Sequence, residues 1–571
     1  MDFNSNLSKL REFLSQLGVD AIFVSMNNFF GNFTSTDSDI YHISGFSGSN
    51  GRAVVSKDAA ILSVDGRYVK QATEQTDCNV WEIGMYPLVD SKAMIAKTLK
   101  KGQTLAIGPF SATYQTYLSI SNLAKSTEIN VKLIEQYPIL RHQKSEDKIY
   151  FVGEDITGES IQNRIIKIQE TLKPGSALLL SDKVAIGWVF GARIPPTVEK
   201  SVLPNCVAFI TASGKPKLFC DLQLANNDIE FDFFDISKFE DVMQQIPKIS
   251  VDMDYPNTSL YFPITLQKCD FTINQSQISY GSFESSKNTI EIRNQREAAK
   301  ATSIAFIKTL AYAENTEKTT EMDVIGFFEG ELKKNETFVA LSFNTISAFE
   351  ENTSVVHYTP KSKSNSAIER EGLFLLDGGA HISNSTTDMT RVVYRGICQN
   401  DELKSIYSIV LKSLIMFSSA KFPDKTKASS LDSIARFCIW NEGMDYPFGT
   451  GHGVGSFSNV HEPPRISSNS VERITANMVI TIEPGMYFKN FGIRLENMLL
   501  TKRSFNFHEY IEFETLNFIP FCRKLIKKEV FDSSELNWIN SYHEYIYKNL
   551  KQEFEYDSIT LNWLKDNTLK I

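Results

Sequence analysis

No two of the seven cysteines stand in a C-x-x-C pair; they are scattered at positions 78, 206, 220, 269, 398, 438 and 522 and are odd in number. That arrangement excludes a disulfide framework and a thiolate zinc site, and it fits a reducing compartment. Positive charge is also in short supply, since 59 Lys and Arg against 68 Asp and Glu leave a formal net charge of -9 and a pI near 5.6. Mild acidity spread along the chain excludes nucleic acid and anionic membrane as main partners. No apolar run approaches membrane-spanning length, and the opening stretch MDFNSNLSKLREFLSQLG places Asp2, Lys9, Arg11 and Glu12 where a signal peptide needs an unbroken apolar core. A soluble, cytoplasmic protein is therefore expected. Low-complexity tracts and long linkers are missing too, so the domains are expected to dock closely.

What is present is a globular composition, 42% apolar, 12% aromatic and 22% charged, over 571 residues. At roughly 150 residues per domain that length predicts three or four domains. Leu7, Leu10, Phe13, Leu14 and Leu17 recur at helical spacing, Gly18 stands where a C-terminal cap belongs, and AIFVS reads as a buried strand. The same order returns with Ile161, Ile165, Ile168 and Leu172, then KPGS, then ALLLS. Two α/β units of similar construction are thus expected at residues 1–144 and 145–287. A third region, 288–571, opens at KNTIEIRNQREAAKATSIAFIKTLAYAE, where Asn288 and Glu291 form a capping box and Ile304, Ile307 and Ala311 mark the buried face. Helices follow at 321–333, 401–418 and 429–441, strands at LFLLDGG, TRVVY, MVITIEPG and IRLENMLL, and a helical tail at SSELNWINSYHEYIYKNLKQEF packs on the body. The fold class is α/β (α+β).

Within this third region LFLLDGGAHISNSTTDMTRVV puts Asp377 and Asp388 near the facing ends of two antiparallel strands. VITIEPGMY presents Glu483 at a strand end, and strand alternation in FGIRLENML places Arg494 and Glu496 on one face. Singly, Asp377 caps a turn, Glu483 pairs with a lysine and Glu496 pairs with Arg494. Together, buried carboxylates repel one another and resist ionising unless cations sit among them, and two divalent ions match four such charges. YPFGTGHGVGSFSNVHEPP adds His452 among four alternating glycines, with His461 nine residues on. Glycine on both sides lets backbone and ring approach a metal pair. Neither G-x-x-x-x-G-K-[ST] nor G-x-G-x-x-G fits this loop, HEPPR lacks the second histidine of H-E-x-x-H, and no G-x-S-x-G elbow is present. Oxygen donors with one imidazole and no sulfur favour Mn²⁺, with Co²⁺ or Zn²⁺ as alternatives.

The set Asp377, Asp388, His452, Glu483 and Glu496, in the contexts LLDGGA, TTDMTR, GTGHGVG, TIEPGMY and GIRLENM, resembles the five metal ligands of the pita-bread metallopeptidases. Within them the chain is similar to the long, three-domain cytosolic Xaa-Pro aminopeptidases (aminopeptidase P). The stretches ISGFSGSNGRAVV, VDGRYVKQA, KNTIEI, SFNTIS, VVHY and FETLNFIPFCRKLI carry the likeness over nearly the whole length. The resemblance implies two creatinase-like α/β domains ahead of a pita-bread catalytic domain, a homodimer, two divalent ions per chain and peptide substrates with proline at the second position.

For individual residues, the resemblance implies that His357 and His461 bind the peptide and stabilise the tetrahedral intermediate, that Arg67 contacts the peptide and that Arg494 holds carboxylates or substrate. Read singly, the two histidines are more often structural than functional, Arg67 is a surface residue after an Asp-Gly turn, and Arg494 belongs to a salt bridge. The implied reaction uses a water whose pKa two bridged metals lower toward neutrality. Glu483 is then both ligand and proton shuttle, and His461 helps stabilise the oxyanion, an effect of about 3–4 kcal/mol per donor. A proline dipeptidase shares every ligand, and a catalytically silent pita-bread module that binds proteins is the other alternative. The extra N-terminal domains and tail favour the aminopeptidase, and five intact ligands favour an enzyme. Two positions depart from the pattern: Phe448 stands where a histidine is usual four residues before the metal histidine, and Pro463 where glycine commonly follows His-Glu. Phe448 is expected to alter specificity.

Overall fold

Two repeats of one topology precede the part of the chain that carries the acidic cluster. The computed structural model describes residues 2–27, 38–109, 112–134, 147–197, 200–225, 229–276, 281–361 and 364–571. Its contacts separate into two compact units, the first made of Met1–Glu154, Glu159–Pro195 and Leu203–Ser279, the second of Asp155–Gly158, Pro196–Val202 and Tyr280–Ile571. The expected boundary at 144/145 lies outside the described residues. No helix among the described residues is long and apolar enough to cross a membrane.

In the first unit, α1 (Phe3–Leu17) buries Leu7, Leu10 and Leu14 and ends at Gly18, whose φ of 64° is the left-handed cap that glycine adopts without strain. Six strands follow: β1 (Ala21–Ser25), β2 (Gly51–Ser56), β3 (Ala60–Val64), β4 (Glu82–Met85), β5 (Thr104–Ile107) and β6 (Asn130–Leu133). They pair in the order β4-β3-β2-β1-β5-β6. Then α2 (Ile161–Thr171) leads into β7 (Ser176–Leu180), β8 (Cys206–Thr211), β9 (Lys217–Cys220), β10 (Asp232–Asp235), β11 (Ser250–Met253) and β12 (Thr272–Gln275). Their order, β10-β9-β8-β7-β11-β12, repeats the first sheet step for step. Parallel and antiparallel pairings recur in the same places as well. One apolar cluster joins Phe23, Val54 and Leu105 of the first sheet to Leu179, Phe209 and Val251 of the second.

The second unit opens with α3 (Thr289–Asn315). Asn288 accepts from the Ile290 and Glu291 amides while the Glu291 carboxylate accepts from the Asn288 amide, so the capping box forms in both directions. Ile307 and Ala311 are buried as expected. Ile304 is only half-buried, because it lines a surface cavity of about 430 Å³ with Ala301 and Lys308. Next, α4 (Glu321–Leu332) sets Phe328 edge-on to Phe306 of α3, ring centroids 5.4 Å apart. A three-stranded antiparallel sheet then joins β13 (Ile346–Phe349), β14 (Gly372–Gly378) and β15 (Met389–Arg395) in that order. Register places Asp377 opposite Thr390.

After α5 (Asp401–Ser418) come β16 (Phe422–Pro423), α6 (Ala428–Asn441), β17 (Gly451–Gly453), β18 (Glu462–Ile466), β19 (Val479–Ile482), β20 (Gly485–Tyr487), β21 (Gly492–Arg494), β22 (Asn497–Arg503) and β23 (Tyr510–Thr515). A second sheet runs β16-β23-β22-β19-β17-β18, and β20 pairs only with β21 as a hairpin among the described residues. IRLENMLL, expected to be one strand, is therefore two. The chain breaks at Leu495 and Glu496 because their amides leave the sheet for the carbonyls of Pro484 (3.3 Å) and Thr390 (3.1 Å). That detour delivers Glu496 to the strand opposite Asp377. The tail forms α7 (Ser533–Leu550) and a further helix, α8 (Ser558–Asn567), whose Trp563 donates to Glu314 at 2.9 Å.

Replacing Asn288 by alanine removes the side-chain half of the cap, the Oδ1 that accepts from the Ile290 and Glu291 amides, and also the hydrogen bond from Nδ2 to the Thr157 carbonyl at 2.7 Å. A loss of about 1–2 kcal/mol is expected. Urea unfolding followed by tryptophan fluorescence measures it, and an unchanged midpoint contradicts the capping role.

Candidate metal centre

Each of the five expected ligands stands at a strand end or in a short strand whose backbone is tied down. Asp377 closes β14, Asp388 precedes β15, His452 is the centre of β17, Glu483 follows β19 and Glu496 fills the gap between β21 and β22. The fold brings them together in three overlapping groups, Asp377 with Asp388 and Glu496, His452 with Glu483 and Glu496, and Asp388 with His452 and His461; within each, the donor atoms lie within 4.8 Å of one another. His452 Nε2 is 3.4 Å from Asp388 Oδ2 and 3.6 Å from Glu483 Oε1. Its Nδ1 lies 2.9 Å from the Gly453 carbonyl, which only accepts, so the proton belongs on Nδ1 and the Nε2 lone pair faces the acids.

The glycines around His452 serve the neighbouring strands rather than the ring. A Cβ on Gly451 would sit 2.1 Å from the Thr481 carbonyl oxygen, and one on Gly453 would sit 2.2 Å from that of Pro463. Backbones therefore approach closely on both sides of His452, whose own amide donates to Thr481 Oγ1 at 3.1 Å. The small residues fix where the imidazole stands, which corrects the expectation that they make room at the metal.

Burial pushes the Asp388 carboxyl well above its ordinary value of 3.8, and the charges of Asp377 and Glu483 add to the effect. Glu496 is raised well above 4.5 by burial first and then by Asp388, Glu483 and Asp377. One cation already lies among them: Arg494 Nη2 is 2.5 Å from Asp377 Oδ2, and Nη1 reaches the Val356 carbonyl at 3.2 Å and the Tyr487 hydroxyl. Burial pushes the Tyr487 hydroxyl up to about 12, with Arg494 opposing. The salt bridge of Arg494 is thus with Asp377, and Glu496 instead accepts from the Thr390 hydroxyl at 2.7 Å. Asp377 Oδ1 is buried with no hydrogen-bond partner. An acceptor stranded in this way, beside carboxylates that resist ionising, is what a site for hard cations presents, and four carboxylates with one imidazole fit paired divalent ions.

The other expected residues occupy distinct surroundings. His461 is exposed, its ring 4.3 Å from that of His452 and nearly perpendicular to it. The next residue, Glu462, is buried against Lys287 Nζ; burial lifts its carboxyl to about 7 with Lys287 opposing. His357 is half-buried in the turn beyond β13. Arg67 belongs to the first unit, where its guanidinium forks onto Asp65 at 2.8 and 3.1 Å. Phe448 packs edge-on to Tyr487, centroids 5.6 Å apart, and 5.1 Å from Tyr446.

Sequence reasoning missed the residues that hold the ligands. Arg391 is fully buried and donates to the carbonyls of Thr390 (2.9 Å), Glu496 (2.6 Å) and Ile519 (2.8 Å), to Asn497 Oδ1 (2.7 Å) and to the Tyr542 hydroxyl of α7 (3.1 Å). Its signal was present in DMTRVV, where Thr and Arg interrupt an apolar strand. Thr481 and Tyr487 carried no such mark.

A carboxylate cage with one imidazole, set between a three-stranded and a six-stranded sheet, defines a binuclear metal-dependent hydrolase site. Comparison with known proteins specifies it. Residues 293–503 match the model of metallopeptidase family M24, residues 509–571 the C-terminal region of peptidase M24, and residues 6–141 the creatinase/prolidase N-terminal domain. A probable Xaa-Pro aminopeptidase P of Botryotinia fuckeliana is 30% identical over 98% of this chain and 91% of its own length, and that of Paracoccidioides brasiliensis is 30% identical over 100% of both. Among solved structures, an X-prolyl aminopeptidase from Caenorhabditis elegans, described as a cytosolic enzyme with a di-nuclear active site, superposes with a TM-score of 0.92 over 100% of both chains at 23% identity. A prolidase from Pyrococcus horikoshii reaches 0.52 over 65% of this chain and 99% of its own, also at 23% identity. The chain belongs to metallopeptidase family M24, in its Xaa-Pro aminopeptidase branch, and has the creatinase-type N-terminal and pita-bread folds.

Groups whose pKa is raised in the folded state contribute stability that is fully present below their ordinary values and is lost as pH rises through the raised ones. Asp388 and Glu496 therefore weaken the metal-free fold as pH climbs above 3.8 and 4.5, and bound cations cancel that loss. The thermal midpoint gap between metal-loaded and chelated protein is expected to widen as pH is raised through the acid-to-neutral range. A gap independent of pH contradicts this.

Proposed function

We propose that the chain is a metal-dependent aminopeptidase that hydrolyses the bond between a peptide's first residue and a proline at the second position. The observation that carries this reading is the convergence of Asp377, Asp388, His452, Glu483 and Glu496, donor atoms within 4.8 Å in overlapping groups. Those five residues hold the ions; Mn²⁺ is the metal we assign, on the strength of oxygen donors with a single nitrogen. Divalent ions held there would lower the pKa of a water toward neutrality and would polarise the scissile carbonyl.

The chain's own groups do the rest. Glu483 takes the proton of the attacking water and passes it to the leaving nitrogen. His461, exposed beside His452, and His357 donate to the carbonyl oxygen as charge develops, each donor supplying about 3–4 kcal/mol. Arg494 holds Asp377 in place through their ion pair, and Arg67 contributes a peptide contact. Phe448 lies against Tyr487 and makes the adjoining wall apolar, which shifts substrate preference. We assign the activity to the cytoplasm and to a homodimer; the Phe437 and Trp440 side chains, 54% and 46% exposed one turn apart on α6, offer an apolar face for a second copy.

Hydrolysis of a panel of Xaa-Pro-Yaa tripeptides and Xaa-Pro dipeptides, with and without chelator, tests the reading. Tripeptides are expected to lose their first residue only without chelator; cleavage of dipeptides alone identifies a proline dipeptidase, and no cleavage identifies a binding module. Glu483→Gln is expected to lower kcat by about 10²- to 10⁴-fold with the circular dichroism spectrum unchanged. Near-normal turnover excludes Glu483 as the proton shuttle.

A further inference from the structure

Glu321 is fully buried at the start of α4, away from the acidic cage in sequence and pairing with no lysine or arginine among the described residues. Its carboxylate is instead enclosed by one stretch of chain. Oε1 accepts from the Phe349 amide at 2.7 Å and from Asn352 Nδ2 at 2.9 Å; Oε2 accepts from the Tyr358 hydroxyl at 2.8 Å and from the Ser366 amide at 2.8 Å. Asn352 Nδ2 also reaches the Tyr358 hydroxyl and Ser366 Oγ, each at 2.9 Å, and the single Tyr358 proton is shared between Glu321 Oε2 and the Ser364 carbonyl. The α4 side answers in kind, with the Glu321 amide on the Ser366 carbonyl at 3.1 Å and the Met322 amide on Asn365 Oδ1 at 2.9 Å. Four donors on one buried charge make a rigid hub, because each bond to a carboxylate is stronger than its neutral counterpart.

The segment gathered by this hub is the one that carries His357. That residue stands between Val356, whose carbonyl takes a hydrogen bond from Arg494, and Tyr358, whose hydroxyl rests on Glu321. The turn is closed by the Val355 and Tyr358 amides on the carbonyls of Asn352 and Val355, both at 3.2 Å. It is seated on the β20–β21 hairpin by the Gly492 amide, 2.9 Å from Thr353 Oγ1. We propose that Glu321 is a positioning residue: by holding Phe349, Asn352, Tyr358 and Ser366 it sets His357 at the substrate, as the Arg494 contact sets it relative to Asp377. The inference rests on the reading of His357 as a substrate contact.

A purely structural carboxylate would lower stability whatever residue stood at 357, whereas a positioning one acts through His357. The test compares Glu321→Gln, His357→Ala and the double variant in the full-length, Mn²⁺-loaded chain, reading kcat, KM and the thermal midpoint on an Xaa-Pro-Yaa peptide. Glutamine keeps the volume but turns an amide group toward two donors. Glu321→Gln is expected to lower kcat/KM by about 10- to 100-fold, chiefly in kcat, as for a misplaced reacting group. On the His357→Ala background the same change is expected to have no further effect. Tyr358→Phe, which removes one bond to the hub and keeps the ring, is expected to show a smaller loss that His357→Ala also absorbs; it carries the test if Glu321→Gln does not fold. Losses that multiply in the double variants overturn the positioning role while leaving the function of His357 intact. Wild-type activity of His357→Ala overturns both.

Discussion

Everything in the second unit is arranged around one electrostatic conflict: acidic side chains brought within 4.8 Å of one another where water is largely excluded. Two like charges 4 Å apart repel by about 4 kcal/mol even at an effective dielectric constant of 20. Arg494 relieves Asp377 alone by direct contact, and Asp388 and Glu496 respond by holding their protons more tightly. A fold retains such an arrangement when cations complete it, and the unpartnered oxygen of Asp377 marks where one belongs.

Because the cage repels itself, it has to be braced from behind, and the brace is largely backbone. Arg391 pins the carbonyls of Thr390 and Glu496 and reaches Ile519 and Tyr542, so the C-terminal region is tied directly to a ligand strand. Glycines at 451 and 453 let three strands close around His452. On the far side, Glu321 gathers the His357 segment as Arg391 gathers the tail. A buried charge saturated by hydrogen bonds performs the same task in both places.

How much of this could be read in advance depended on range. The capping box at Asn288 and Glu291, the glycine cap at Gly18 and the repeated helix-strand order are local signals, and the repeated order proved to be a repeated sheet topology. The ligand set was legible because four acids and an imidazole interrupt apolar strands in contexts shared with a known family. The break at Leu495 and Glu496 was not, since alternation continues through it and only the distant Thr390 and Pro484 carbonyls explain it. Nor could the glycine stretch be read correctly, because the carbonyls that crowd it come from Thr481 and Pro463, one of them about 30 residues away. Glu321 looks like an ordinary first-turn acid until the chain returns to it at Ser366.

The paired-ion cage is tested most directly by counting metal. Full-length protein stripped with chelator, reloaded with Mn²⁺ and freed of excess by gel filtration should carry two ions per chain by elemental analysis. Asp388→Asn and Glu496→Gln should each lower that count. A wild-type count well below two, or full loading in both variants, contradicts the account.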